Sequence, residues 1–356
     1  MDLALRPRQL LAAYRATGAD LPFGDSRAAH PGVAMEGYFW RVTDLASGRV
    51  VVALIGVNQG PEGPWATLGL ASHPGSGLHV LAHPGASAVP GRLAARAGSA
   101  FVADERQVRV DLAADARLDL WIDQPQPWPR RAFGGSSVFQ LVPRLNQYWH
   151  PWLLGGRASG AASIGGQTWT FHDAQVYAEK NWGREGFPDA WWWGQAHGFE
   201  DADACVAFAG GEVAAGPIRS RVTALVVRLP GGRLIRLGNP GTSPVRARLT
   251  PESWQLAGRS VTQGWSVELQ AEAPLDDAHV LPVPLPREHN NSAGAIEHLA
   301  GRLQLAVRRR GRLVWQGESR LAGLEHGGLA QAEAELRRRG VPVGAVGAPP
   351  VPRPVG

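Results

Sequence analysis

Lysine and cysteine are nearly absent from this 356-residue chain, which contains one of each, Lys180 and Cys205. A lone cysteine excludes an intrachain disulfide and a zinc site built from several thiolates, and it fits a reducing, cytoplasmic environment. Arginine supplies all the other side chains that are positively charged at neutral pH. Because arginine cannot imitate a compact ammonium group, Lys180 indicates a position where an amine is required.

Long apolar runs are also missing. Those within residues 1–23 cover only a few positions, which is too short for a secretory segment or a membrane span. The formal net charge is +5, but the arginines are scattered, with dense basic runs only at 308–310 and 337–339. We therefore expect no nucleic-acid partner, whereas scattered basic charge is sufficient for a weak, peripheral attraction to an anionic membrane surface.

Familiar catalytic motifs are absent. The sequence has no G-x-S-x-G elbow, no phosphate-binding G-x-x-x-x-G-K-[ST] and no dinucleotide-binding G-x-G-x-x-G after a strand. His79 and His83 are four residues apart, but they lie on a stretch predicted as strand and turn, which favours a structural role over zinc binding. We predict neither a metal nor a cofactor, which leaves cofactor-free acid chemistry or ligand binding.

Glycine and proline, in contrast, are abundant, with 45 and 28 copies. They separate short runs of period-two alternation, which is typical of antiparallel strands joined by turns. The predicted strands are 37–42, 50–57, 108–112, 118–122, 168–171, 190–197, 221–229, 265–271, 302–308 and 312–317. Hairpin turns are predicted at 230–232 and 310–311, and helices only at 7–17 and 329–339, where Gly340 would end the second helix.

This pattern predicts an all-β chain of two antiparallel β-barrel or sandwich domains that meet near residues 175–200, with short terminal helices. The predicted segments are an N-terminal helical segment 1–27, β domains 28–180 and 181–328, a C-terminal helix 329–340 and a disordered tail 341–356.

The segment from 173 to 182 alternates between two faces. One face carries Asp173, Gln175, Tyr177, Glu179 and Asn181; the other carries Ala174, Val176, Ala178, Lys180 and Trp182. The polar face is either a solvated side of the strand or the lining of a cavity. In a cavity its carboxyl groups would have to be paired or protonated, and protonation produces a general acid.

The next strand carries three consecutive indoles. Trp191, Trp193, Gln195 and His197 share one face, and Trp192 lies on the other. We expect most of the 14 tryptophans to fill barrel interiors, among them Trp121, Trp254, Trp265 and Trp315. Near the polar face, indoles can instead bind an isoprenoid chain and stabilise a carbocation by cation–π attraction.

Two further segments are rich in aromatic residues. In the first, 36–42, the expected role of Glu36 and Arg41 is a structural ion pair. The second, 146–152, either closes a pocket or forms a packed loop.

Several blocks resemble the tocopherol cyclase family. Residues 177–183 (YAEKNWG), 187–188 (FP) and the tryptophan-rich strand ending in Gln195 resemble its signature block, and 35–42 (MEGYFWRV) is similar to its FEGWYFRV. The stretches 159–170, 281–297 and 321–328 resemble an SGxxxxxG hairpin, an L-x-x-P…E stretch and a closing A-G-L-E-x-G-G. The likeness spans about residues 34–328 in the family's order.

The resemblance implies a two-barrel, lipocalin-like fold and the cofactor-independent cyclisation of a prenylated benzoquinol, or another isoprenoid lipid, to a chromanol. The alternatives are hydration of an isoprenoid double bond and non-catalytic binding of a lipid or quinone. On this reading Glu179 is the acid, Asp173 and Glu36 are alternative acids, and Lys180 contacts a ring oxygen. The expected substrate-binding residues are Glu36, Tyr38, Tyr177, Asn181, Trp182, Trp191, Trp193, Gln195 and His197.

Overall fold

The computed structural model describes residues 5–22, 24–75, 77–129 and 133–342. Most of them lie in two antiparallel sheets, so the predicted all-β class is confirmed. The two α-helices are α1 Leu5–Arg15 and α2 Leu329–Arg338, close to their predicted positions, and 3₁₀ turns lie at Ser137–Leu141, Leu275–Asp277 and Pro286–Glu288. The predicted disordered tail falls, from residue 343 onward, outside the described residues.

The first sheet is formed by the N-terminal half of the chain. Its strands are β1 Met35–Asp44, β2 Arg49–Gly60, β3 Gly63–His73, β4 Leu78–Pro84, β5 Ser87–Ala88, β6 Ala94–Ala97, β7 Phe101–Asp104, β8 Gln107–Ala113, β9 Ala116–Asp123, β10 Tyr148–Leu153, β11 Arg157–Ile164 and β12 Gln167–Gly183. They are ordered β4-β3-β2-β1-β12-β11-β9-β8-β7-β6-β5, and β10 also pairs with β12. The long β12 is therefore central.

The second sheet is formed by the C-terminal half. Its strands are β13 Trp191–Ala196, β14 Cys205–Ala215, β15 Ile218–Arg228, β16 Leu234–Leu237, β17 Val245–Thr250, β18 Ser253–Arg259, β19 Trp265–Glu272, β20 His279–Leu285, β21 Asn290–Arg309 and β22 Arg312–Gly327. They are ordered β16-β15-β14-β13-β22-β21-β19-β18-β17, and β20 also pairs with β21. Every described strand of both sheets runs antiparallel to its partners.

The predicted strands all coincide with observed ones, but several are too short and others were missed. Strand β3 was missed because eight consecutive positions, from residue 65 to residue 72, are buried, so no alternation of polar and apolar residues remains. The predicted strand 302–308 is the last part of β21, whose first half is also largely buried.

Each sheet curls around its own packed core. The first core contains Trp40, Phe101 and Trp152, and the second contains Trp192 and Trp254. Trp265 and Trp315 also pack against the second core, as expected. The expectation for Trp121 was wrong: its position on the outer face of β9 leaves it 53% exposed. Side chains of both cores pack the interiors of the two curled sheets.

The two sheets face each other through the outer sides of β1, β12, β13 and β22. The chain passes between them at residues 184–190, so the predicted division at 180/181 falls inside β12. Arg41 crosses this interface: its guanidinium donates to Gln195 Oε1 at 2.9 Å and to the carbonyl oxygens of Leu299 and Leu321 at 2.8 and 2.6 Å. The division into two domains itself stays a prediction.

The helices of the described residues are short, and none of them has the length and apolar character needed to cross a membrane.

Candidate active site

A mostly apolar cavity of about 200 Å³ lies between the two sheets. An engineered protein cavity of about 150 Å³ binds benzene, so this one has room for an aromatic ring. Residues from the first sheet, the second sheet and the connecting segments line it, among them Phe39, Trp149, Glu179, Asn181, Phe187, Trp191, Trp193, Leu281, Glu297 and Glu325. From the polar face of β12, Glu179 and Asn181 line this cavity.

Glu179 is the most heavily hydrogen-bonded carboxyl group in this lining. Three donors converge on its Oε2 atom: Tyr177 Oη at 2.5 Å, Trp149 Nε1 at 2.8 Å and Trp193 Nε1 at 2.7 Å. Burial nevertheless raises the pKa of Glu179, and these hydrogen bonds only partly offset it. No donor from the described residues reaches Oε1. A proton on Glu179 therefore belongs on Oε1, since Oε2 already accepts three hydrogen bonds.

The donors to Glu179 come from three strands, and alternation along one strand accounts only for Tyr177. On β12, Tyr177 and Glu179 are two residues apart and share a face, whereas Trp193 lies on β13 of the second sheet and Trp149 on β10. The segment 146–152 therefore contributes to the cavity as part of a strand. The hydrogen bond from Trp193 to Glu179 forms only when the two sheets dock, so the spacing of residues in the sequence does not reveal it.

Two further carboxyl groups line the same cavity and were not predicted as site residues. Glu297 on β21 and Glu325 on β22 are direct cross-strand partners. Burial raises the pKa of Glu325 to about 7 and that of Glu297 well above its usual range. Repulsion from Glu179 adds to both effects, and repulsion from Glu325 adds to that on Glu297. The sequence signal existed: both residues are the glutamates of the L-x-x-P…E and A-G-L-E-x-G-G blocks.

Glycines make room for two side chains that line the cavity. Asn181 lies opposite Gly37, where a Cβ atom would come within 2.1 Å of Asn181 Oδ1. Trp191 lies across Gly327, where a Cβ atom would come within 1.8 Å of its indole. Trp191 Nε1 donates to Glu325 Oε1. The glycines in the E-G-Y and E-x-G-G motifs are therefore explained by space for side chains.

Lys180 lies on the opposite face of β12, as the alternation predicted, and the described lining of the cavity does not include it. Its side chain is fully buried and its Nζ atom contacts Glu36 Oε2 at 3.1 Å, His30 Nδ1 at 2.8 Å and the Ala28 carbonyl oxygen at 2.8 Å. The expected contact with a substrate ring oxygen was wrong, because the ammonium is enclosed by the segment preceding β1.

This buried ion cluster, formed by Arg15, Asp20, His30, Glu36 and Lys180, continues to the end of α1. His30 Nε2 lies 3.0 Å from Asp20 Oδ2, and Arg15 Nε lies 3.2 Å from Asp20 Oδ1. Burial lowers the pKa of His30 well below its usual value, so the ring is neutral. A neutral ring that accepts from Lys180 at Nδ1 carries its proton on Nε2, where it donates to Asp20.

Aromatic rings complete the enclosure of the lysine. Nζ lies 4.8 Å from the ring centroid of Trp182 and 5.3 Å from that of Tyr38. Trp182 stacks on His30 and donates to the Gly18 carbonyl oxygen at 2.8 Å. Lys180 and Trp182 therefore hold the N-terminal segment on the first sheet, which corrects the substrate-binding role expected for Trp182.

The two alternative acids are excluded by their surroundings. Asp173 has a side chain that is 76% exposed, because a positive φ of 60° places it in an irregular part of β12, and it lies 3.6 Å from Arg157. Glu36 is buried, which disfavours its carboxylate, but Lys180, His30 and the hydrogen bond from Tyr38 together outweigh burial and lower the pKa of Glu36. The expected pair of Glu36 with Arg41 was also wrong, because residues five apart on a strand face opposite ways.

Two other expected head-group contacts lie outside the described lining. Gln195 accepts a hydrogen bond from Arg41 and contacts Cys205 Sγ at 3.6 Å. His197 Nε2 lies 3.3 Å from the Leu154 carbonyl oxygen, and burial lowers the pKa of His197 to about 3. Both belong to the packed interface between the sheets.

Tyr38 and Tyr177 have supporting positions. Tyr38 borders the cavity but donates its hydroxyl group to Glu36 at 2.7 Å, and Tyr177 donates to Glu179. Both hydroxyl groups therefore orient carboxyl groups of this chain. Asn181, Trp191 and Trp193 remain as side chains that can contact a ligand.

Two curled β-sheets with a carboxyl-bearing, indole-lined cavity between them define a lipocalin-like two-barrel protein. The chain belongs to the tocopherol cyclase-like family, whose sequence profile matches residues 129–328. A probable chloroplastic tocopherol cyclase from Oryza sativa subsp. japonica is 36% identical over 77 residues, and this match covers 22% of this chain and 15% of the rice protein.

Solved structures share the fold at low sequence identity. Kievitone hydratase from Nectria haematococca superposes with a TM-score of 0.52 at 11% identity, covering 85% of this chain and 91% of that structure. The protein CghA superposes with a TM-score of 0.53 at 10% identity, covering 87% of this chain and 95% of CghA. At such identities the likeness establishes the architecture.

We expect Lys180→Met to lower the free energy of unfolding by about 3–5 kcal/mol, because it leaves Glu36 buried without a cation. Lys180→Arg should also destabilise, since a larger guanidinium has to fit a fully enclosed space. Denaturant unfolding measures both effects, and faster proteolysis between residues 15 and 36 would report release of the N-terminal segment.

The control is Arg302→Met, which breaks the exposed pair with Glu318 and should leave stability close to wild type. The double variant Lys180→Met/Glu36→Gln should recover part of the loss. Wild-type stability of Lys180→Met would contradict the anchoring role.

Proposed function

We propose that this protein is a cofactor-independent, tocopherol cyclase-like enzyme that closes a prenylated benzoquinol to a chromanol by acid catalysis. The observation that carries the proposal is the buried Glu179, which borders an apolar cavity with Trp191 and Trp193. Protonation of an alkene requires a carboxyl group that keeps its proton near neutral pH, and burial favours the protonated form.

In the proposed complex the quinol ring lies beside Glu179 and Asn181, and the prenyl tail runs past Trp191 toward Phe187. A second cavity of about 190 Å³ adjoins this end and shares Phe187, Trp191 and Val283 with the first. Because one cavity has the size of a ring system, a tail of several isoprene units would extend into the second.

The reaction is an isomerisation, so no atoms are gained or lost. Glu179 transfers its Oε1 proton to the less substituted carbon of the first tail double bond, which leaves a tertiary cation. The neighbouring phenolic oxygen forms a C–O bond to that cation and loses its own proton. Three donors on Oε2 stabilise the carboxylate that Glu179 becomes. Indole faces stabilise the cation by about 0.5–2 kcal/mol per contact.

Hydration of the same double bond is the second candidate. Asn181 Oδ1 is buried without a hydrogen-bond partner among the described residues, and it would hold a water molecule near the cation. A third candidate is binding of a lipid or quinone without reaction, for which the apolar lining is equally suitable. The three candidates differ in the product that they form.

We expect Glu179→Gln to lower chromanol formation by about 10²- to 10⁴-fold, because an amide has no proton to transfer to the alkene. The measurement is mass spectrometry after incubation with a panel of prenylated benzoquinols. Asp173→Asn, which removes an exposed carboxyl group of the same strand, is the matched control and should retain wild-type activity.

Full activity of Glu179→Gln would remove Glu179 as the acid. Saturable binding of ligand that stays unchanged with the wild-type protein would favour the carrier function instead.

Incubation in heavy-oxygen water separates the two enzymatic candidates. In cyclisation the ring oxygen comes from the substrate, so we expect the product to contain no label. Incorporation of one labelled oxygen atom per product molecule, measured by mass spectrometry, would establish hydration.

We also propose that the substrate enters from a lipid surface. Leu10 of α1 is 70% exposed, and Leu11, Val138 and Leu141 are exposed beside it. Tyr14 joins α1 to the 3₁₀ turn through a hydrogen bond to the Leu141 carbonyl oxygen at 2.7 Å. The exposed Arg8 and Arg144 add positive charge near these side chains, and Phe139 of the same turn lines the cavity. Apolar side chains flanked by arginines suit an anionic bilayer.

We expect the double variant Leu10→Glu/Leu141→Glu to bind vesicles of phosphatidylglycerol and phosphatidylcholine several-fold less than wild type in a co-sedimentation assay. Val261→Glu, at an equally exposed position in the β18–β19 turn, is the control and should bind normally. Equal binding by all three proteins would exclude this surface as the contact with lipid.

A further inference from the structure

Glu297 and Glu325 form a carboxyl pair within the cavity. They are direct partners in the β21–β22 ladder, where opposed side chains on one face have Cβ atoms about 4.5–5.5 Å apart. Glu325 accepts a hydrogen bond from Trp191 Nε1. Glu297 is only 2% exposed, and its Oε1 atom has no partner among the described residues although the side chain lines the cavity. Two like charges this close and this buried cannot both be present without a large cost.

The charged groups that face the pair have opposite effects on the ionisation of its carboxyl groups. Glu179, from β12, disfavours ionisation of both carboxyl groups, whereas Arg41, from β1, favours the Glu297 carboxylate. The neighbouring residues His298 and His326 do not face it, because both lie against Trp254 on the other side of the sheet. Arg41 stabilises one negative charge on the pair, and repulsion among the three carboxyl groups disfavours a second. The pair can therefore hold one negative charge and one proton.

We propose that Glu297 and Glu325 hold one proton between them at neutral pH, and that this pair accepts the phenolic proton when the ring closes. This inference rests on the cyclase function proposed above and assigns its base. The acid and the base are then different carboxyl groups on facing sheets, with Trp191 and Trp193 between them.

The proton balance of one cycle closes without a co-reactant. The Glu179 proton ends on a carbon atom of the product. The phenolic O–H bond breaks as the C–O bond forms, its proton passes to the singly protonated pair, and Glu179 is left as a carboxylate. After product release, the doubly protonated pair returns one proton to Glu179 through water in the cavity. The resting state is thereby restored.

Infrared spectroscopy of the protein without substrate tests the shared proton independently of turnover. Because Glu179 is also expected to be protonated, the comparison is made in the Glu179→Gln protein. There we expect a band from a protonated carboxyl group at neutral pH that is lost when either Glu297→Gln or Glu325→Gln is added, because sharing needs both partners. Glu62→Gln, at an exposed turn, should keep the band. Persistence of the band in either pair variant would mean that a single buried acid carries it, and would overturn the shared proton.

Kinetics test the role of the pair as the base. We expect Glu325→Gln to lower kcat for ring closure by about 10²-fold or more. In the wild type, kcat should fall below neutral pH as the pair gains a second proton, and the variant should lose this acidic limb. Wild-type rates in both pair variants, together with an inactive Glu179→Gln, would overturn the pair while leaving the cyclase intact. Absence of turnover by the wild type would instead refute the cyclase.

Stability against pH provides a check that needs no substrate. A carboxyl group whose pKa is about 7 when folded and 4.5 when unfolded is more protonated in the native state, so stability falls as pH rises from about 4.5 to about 7. The Tm of the wild type should therefore fall between pH 5 and pH 8 by more than that of Glu297→Gln. Equal changes in Tm for the two proteins would contradict a proton shared by Glu297 and Glu325.

Discussion

The two-residue period of β12 between residues 177 and 182 is the constraint on which the site depends. Glu179 and Lys180 are neighbours in sequence, but they face opposite sides of the strand. One carboxyl group enters an apolar cavity without a cation, and burial favours its protonated form. The ammonium faces away from the cavity into a fully occupied ion cluster. If the two side chains shared a face, the lysine would hold Glu179 ionised and Glu179 would have no proton to donate.

The packing of the two sheets explains why the cavity lies between them. Aromatic and aliphatic side chains fill the interior of each curled sheet. The outer faces of β12 and β13 then have to be covered, and each covers the other. Glycines opposite large side chains, as with Gly327 opposite Trp191, provide the space that the indole occupies at the edge of the cavity. The donors to Glu179 come from both sheets, so docking of the sheets and assembly of the site are one event.

The three carboxyl groups that line the cavity differ in the number of hydrogen-bond donors that they accept from. Glu179 has three donors on one oxygen atom, Glu325 has one indole donor, and Glu297 has an oxygen atom without a described partner. Hydrogen-bond donors favour the charged form of a carboxyl group, and their absence favours the neutral form. One apolar cavity thus contains carboxyl groups that differ in their tendency to ionise.

The sequence by itself determined the all-β class, the positions of many strands, the family blocks and the alternation that separates Glu179 from Lys180. It could not reveal strands such as β3, because burial on both faces removes the alternating pattern. Nor could it separate Asp173 from Glu179, which share a predicted face until a local irregularity exposes Asp173. Only the tertiary structure decided that Lys180 is an anchor and that Glu297 and Glu325 join Glu179. Those roles depend on contacts between residues more than one hundred positions apart, and local sequence patterns do not reveal such contacts.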